Sequence, residues 1–91
     1  MKSIFLLMAQ YEGKATIPLD RVCADYFPAL SYHTFLRKLS LFEIPIPITR
    51  LDKSQKGARG IHVADLALYI DERRAAARKE MDQIRGVPLV E

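Results

Sequence analysis

The stretch Ile44-Pro45-Ile46-Pro47-Ile48-Thr49-Arg50-Leu51-Asp52-Lys53-Ser54-Gln55-Lys56-Gly57-Ala58-Arg59-Gly60-Ile61-His62-Val63 decides the architecture of the chain. Two prolines spaced by one residue remove backbone donors and bias their predecessors towards extended conformations, so no helix passes through Ile44 to Ile48. Ile46 and Ile48, with Arg50 as their continuation, read as a strand. The segment from Asp52 to Gly60 is polar and contains glycine, the composition of a hairpin loop, and Ile61-His62-Val63 returns as a second strand. This is a β-wing. Its tip offers Lys53, Ser54, Gln55, Lys56 and Arg59, groups able to bond phosphate oxygens or enter a minor groove.

Upstream of the wing, Leu19, Val22, Cys23, Tyr26 and Phe27 fall at helical spacing on one stripe, and Pro28 closes that helix. After the turn at Ala29-Leu30, Ser31 is a good N-cap for a second helix with Phe35, Leu36 and Leu39 inward. Its other face shows Tyr32, His33, Arg37 and Lys38. Two short helices joined by a few residues form a helix-turn-helix pattern, which lays the second helix in a DNA major groove. Further upstream, Ser3 reads as the cap of a helix running to about Glu12 with Gly13 as its stop, and Ala15 to Pro18 reads as a short edge strand.

Downstream, a long helix is expected from Ala64 or Asp65 to about Ile84, ended by Gly86 and Pro88. Leu66, Tyr69 and Ile70 form its inward stripe with Ala67 and Leu68 alongside. Beyond Asp71 large apolar residues become sparse, so that half projects from the core. Ala76, Ala77, Met81 and Ile84 give it a narrow seam for a partner helix, and a homodimer is expected. The fold class is α+β, mostly helical: a winged helix-turn-helix over residues 1–86 with a dimerising C-terminal helix, then a tail over 87–91.

With 91 residues the chain makes one domain, and 49% hydrophobic against 27% charged residues describes an ordered globule. The net charge of +3 is unevenly placed. Residues 30–60 carry six basic groups against two acidic ones, while the flanking thirds are near balance. A polyanion would therefore dock on the middle third. The apolar run from Ile4 to Ala9 is too short for a membrane span, and the lone Cys23 forms no internal disulfide, so a cytoplasmic, nucleoid-associated protein is expected.

Cys23, His33 and His62 lack the paired spacing of a metal site. No nucleophile with a base, carboxylate pair or phosphate-cradling loop stands out, so neither an enzyme nor a cofactor is expected. Cys23 reads as a small buried hydrophobe, and His62 as a strand residue that packs or faces solvent. Arg37 is the residue best suited to reading a base, since a guanidinium bonds guanine bidentately and contributes roughly 1–3 kcal/mol of discrimination. Lys38 suits a phosphate. His33 and Thr34 lie in the first turn, which approaches base edges. Tyr32 is read as packing against Phe35 or Phe42, with stacking or phosphate contact as its other role.

The order of helices, strands, basic loop and final helix resembles the excisionase and MerR-type winged helix-turn-helix. More closely, Leu6-Leu7-Met8-Ala9-Gln10-Tyr11, Ile17-Pro18-Leu19, Asp25-Tyr26-Phe27, Phe35-Leu36-Arg37-Lys38 and Ser54-Gln55-Lys56-Gly57-Ala58-Arg59-Gly60 are similar to blocks of the pyocin activator family. Members activate transcription of phage-tail-like bacteriocin genes when DNA damage removes a repressor. The resemblance thus implies binding to double-stranded promoter DNA, with RNA polymerase as a further partner, and roles for Arg37, Lys38, Lys56 and Arg59. Two other readings share some of these features. One is an excisionase-like protein that bends DNA, and the other is an adaptor whose basic face meets an acidic protein.

Overall fold

The computed structural model describes residues 2–52 and 58–85. Its elements are α1 (Ser3–Gln10), β1 (Thr16–Pro18), α2 (Leu19–Tyr26), α3 (Tyr32–Ser40), β2 (Thr49–Arg50), β3 (Arg59–His62) and α4 (Val63–Ile84). The fold is α+β, with a small antiparallel sheet and a long C-terminal helix. The tail over 87–91 lies outside the described residues.

Helix α1 corrects the expected cap. Lys2 occupies the N-cap without a side-chain bond, while Ser3 lies inside the helix and its hydroxyl donates to Asp71 Oδ1 at 2.6 Å, tying α1 to α4. The helix stops at Gln10, short of Glu12, because Glu12 and Gly13 turn to φ of 56° and 78°. Gly13 closes the end by donating its N–H to the Met8 carbonyl at 2.8 Å, the role a left-handed residue plays after a helix.

The sheet runs β1–β3–β2, and β1 is an edge strand as expected. Thr16, Ile17 and Pro18 oppose His62, Ile61 and Gly60. The Val63 N–H donates to the Ala15 carbonyl at 2.7 Å, and counting along the ladder from that bond puts Pro18 at a non-hydrogen-bonded position. Its missing donor costs no rung there.

The first wing strand is shorter than expected. Ile44 and Ile46 are buried but outside the ladder, and the Ile46 N–H turns to the Ile44 carbonyl at 2.8 Å. Pro45 and Pro47 have no N–H to offer, so pairing starts only at Thr49. The second strand is longer than expected: Arg59 and Gly60, read as loop, belong to β3 and oppose Arg50 and Thr49.

One buried cluster joins the layers. Ile17 and Ile61, paired across β1 and β3, belong to it with Val22 of α2, Phe35 and Leu39 of α3, and Leu66 of α4. Fully burying a side chain of this size stabilises the fold by roughly 1.5–3 kcal/mol. Phe27 extends the cluster, its ring 5.1 Å from that of Phe35 and 6.1 Å from that of Tyr69. Cys23 is buried as expected, its thiol directed at the carbonyls of Phe27 and Leu30.

Helix α4 begins at Val63, a residue earlier than expected, because His62 caps it: Nδ1 accepts the Ala64 N–H at 3.0 Å. Leu66 and Ala67 are buried and Tyr69 and Ile70 half-buried, whereas Leu68 is 59% exposed and does not belong to the inward stripe. At 22 residues α4 is about 33 Å long, and beyond Asp71 most of its residues are exposed. Among the described residues no helix is long and apolar enough to cross a membrane.

Candidate nucleic-acid interface

Helix α3 is built to keep one face free. Ser31 caps it as expected, its hydroxyl accepting the Thr34 N–H at 3.1 Å and donating to Thr34 Oγ1 at 2.8 Å. Burial of Phe35 and Leu39 fixes the inward side, which turns His33 and Arg37, one helical turn apart, to solvent. Thr34 is half-buried beside them. Tyr32, read as packing against Phe35 or Phe42, opens the helix and is 44% exposed, and Phe42 is 78% exposed.

Lys38 behaves differently from Arg37. It is half-buried, and its ammonium lies 3.4 Å from Glu43 Oε2. Such an exposed pair contributes less than about 1 kcal/mol, so it orients the lysine without removing it from use. Phe42 holds a φ of 58°, and the N–H groups of Glu43 and Ile44 donate to the Lys38 carbonyl at 3.0 and 3.2 Å. These bonds end α3 and turn the chain towards β2.

The hairpin supplies the second element. Arg50 and Arg59 oppose each other in β2 and β3, and both are exposed. The Leu51 N–H donates to the Ala58 carbonyl at 3.0 Å, which makes the Arg50–Arg59 pair the non-hydrogen-bonded kind, with Cα atoms about 4.5 Å apart and side chains on one face. Gly60 lets β1 approach this strand: a Cβ there would stand 2.3 Å from the Ile17 carbonyl oxygen. Lys53, Ser54, Gln55 and Lys56 lie outside the described residues.

Of the side chains expected to act together, His33, Thr34 and Arg37 share the outer side of α3, Lys38 is drawn to Glu43, and Arg59 pairs with Arg50. Arg50 was not among the expected contact residues. Its signal was its charge at the end of a strand; the partner that gives it meaning appears only with the register. His62, read as a strand residue that packs or faces solvent, caps α4. Among the described residues no three His, Cys, Asp or Glu side chains gather as ligands for a metal ion.

The chain matches the family model of the pyocin activator protein PrtN over residues 3–77. That span includes both short helices, the hairpin and the first half of α4. The chain belongs to the pyocin activator family. Family membership assigns it to the regulation of pyocin genes and to a class of regulators rather than of enzymes. Comparison with curated proteins and with solved structures returns no match.

Proposed function

We propose that this pyocin activator binds double-stranded promoter DNA as a winged helix-turn-helix and promotes transcription of pyocin-type bacteriocin genes. The observation that carries the reading is the pairing of an outward α3 face, bearing His33 and Arg37, with a hairpin that sets two arginines side by side. In this reading α3 lies in the major groove and Arg37 reads a base edge, with His33 and Thr34 at the first turn. Arg50 and Arg59 grip phosphates or the minor groove, and the basic residues Lys53 and Lys56 extend the same loop. Lys38 meets a phosphate through an ammonium held near Glu43. RNA polymerase is the partner through which such a protein would activate.

Footprinting on genomic fragments tests the reading: a protected, repeated box upstream of a promoter is expected. Arg37→Ala should weaken binding to that box and relax preference at one base pair, while Lys56→Ala weakens all duplexes alike and lowers the salt slope by about one. Equal loss on specific and random duplex for Arg37→Ala would remove its base-reading role.

A further inference from the structure

We propose that Leu41 and Phe42, at the far end of α3, form an apolar reading head that packs on the methyl group of a thymine in the major groove, close to the base read by Arg37. The inference rests on the DNA-binding reading and adds a second kind of base recognition to it. Position, strain and chemistry carry it together.

Position comes from the helix itself. Burial of Phe35 and Leu39 fixes the inward side of α3, and His33, Arg37 and Leu41 follow one another at four-residue steps on the opposite side. Leu41 is the C-cap residue, with φ of -90° and ψ of 2°, so the path stays close to helical up to that point. It is 61% exposed. One helical turn of about 5.4 Å separates it from Arg37, against a rise of about 3.4 Å per base pair, so the two residues meet bases about one or two steps apart.

Strain lies at the next residue. The Phe42 N–H donates to the Leu39 carbonyl at 3.2 Å and the Glu43 N–H to the Lys38 carbonyl at 3.0 Å, the two bonds of a Schellman ending. Phe42 takes the left-handed position of that motif, φ 58°, where glycine is the usual residue. A bulky side chain is strained there, and with the residue 78% exposed its burial returns little of the cost. Strain of this kind gathers at binding sites, where a contact outside the chain makes use of the side chain.

Chemistry selects the partner. Ser40, exposed beside Leu41, donates its hydroxyl to the Leu36 carbonyl at 3.0 Å and so does not offer that proton to a base. Glu43, the acid next to Phe42, is drawn to the Lys38 ammonium at 3.4 Å. Beyond Arg37 the outer face therefore presents hydrocarbon. The hydrocarbon group on the base edges of the major groove is the thymine methyl, and apolar side chains pack on it.

Fluorescence anisotropy on the footprinted duplex, with deoxyuridine replacing each thymine in turn, tests the proposal, because that exchange removes the methyl group and keeps every hydrogen bond. Deoxyuridine within about two base pairs of the position at which Arg37→Ala relaxes preference should weaken binding of the unsubstituted protein about fourfold, the worth of one methyl-sized group taken out of water. The penalty should shrink in Leu41→Ala and in Phe42→Gly and vanish in the double variant, as direct coupling requires. Phe42→Gly should also raise the urea midpoint, since glycine relieves the left-handed strain, and weaker binding by that variant is then not a loss of folding. If no deoxyuridine weakens binding, or if the penalty persists undiminished in the double variant, the inference falls while the DNA-binding reading stands. A duplex with no protected box removes that reading and the inference with it. Variants that bind every duplex as the unsubstituted protein does, yet no longer activate transcription in vitro, would overturn the inference in favour of a protein contact.

Discussion

Arg50 and Arg59 face each other across the β2–β3 ladder at a non-hydrogen-bonded position, where cross-strand side chains come closest. Like charges placed directly opposite destabilise a sheet, by up to about 1 kcal/mol. A phosphate backbone would reverse the sign of that term, because each guanidinium then gains an anion. Arg50→Ala should therefore leave folding stability unchanged or raise it by a few tenths of a kcal/mol, while it weakens DNA binding and lowers the salt slope by about one. Arg50→Ala/Arg59→Ala should lower the slope by about two. Thermal melts alongside fluorescence anisotropy at several salt concentrations read both effects. A variant that loses stability and keeps its salt slope would make the pair structural.

Gly60 is required by proximity rather than by backbone conformation. The carbonyl oxygen of Ile17 occupies the place of its missing Cβ, and Thr16 Cγ2 lies 2.9 Å from it. A methyl group there must push β1 from β3 and disturb the Ile17–Ile61 pair, both members of which are fully buried. Gly60→Ala should cost about 1–3 kcal/mol, the range for overpacking a tight site. Urea unfolding measures it; a loss below about 0.5 kcal/mol would show that the strands separate freely.

What the chain reveals before folding follows from the range of each interaction. Phe35 and Leu39 at helical spacing behind Ser31 describe α3 completely, since cap and stripe are local. The prolines of Ile44 to Ile48 rule out helix for the same reason. Ser3, by contrast, obeys a partner 68 residues away, Asp71, and no local rule announces that bond. Arg59 and Gly60 read as loop because glycine beside polar residues favours turns; their place in β3 depends on Thr49 and Arg50 pairing with them. The match of Arg50 with Arg59 is likewise a property of register.

The two side-chain caps should separate in their consequences. Ser31→Ala removes the acceptor for the Thr34 N–H at the start of α3, and His62→Ala removes the acceptor for the Ala64 N–H at the start of α4. Loss of a side-chain cap costs about 1 kcal/mol. Both variants should lose stability by that order in urea unfolding. Ser31→Ala should also weaken specific DNA binding, because it frays the turn bearing His33 and Thr34. If His62→Ala weakened specific binding as much as Ser31→Ala does at equal stability, the turn at Ser31 would hold no special place in recognition.

Tyr11 gives the fold a dependence on alkaline pH. It is buried, its hydroxyl donates to Asp25 Oδ2 at 2.6 Å, and Arg21 lies over its ring at 5.9 Å. Burial first, and then the bond to the carboxylate, hold the phenol protonated well above its ordinary range. Tyr26 is raised as well, again first by burial. Above the ordinary phenol value of about 10, the unfolded chain releases these protons while the folded chain keeps them. The folded state then binds more protons, so stability falls as pH rises. The contribution is full below about pH 10 and is lost as pH climbs towards the folded-state values. Tyr11→Phe should cost about 1 kcal/mol at neutral pH through the lost hydrogen bond, and it should flatten the alkaline decline. Urea midpoints at neutral pH and at several values around and above pH 10 measure both. Parallel declines in the two proteins would assign the alkaline loss to other groups.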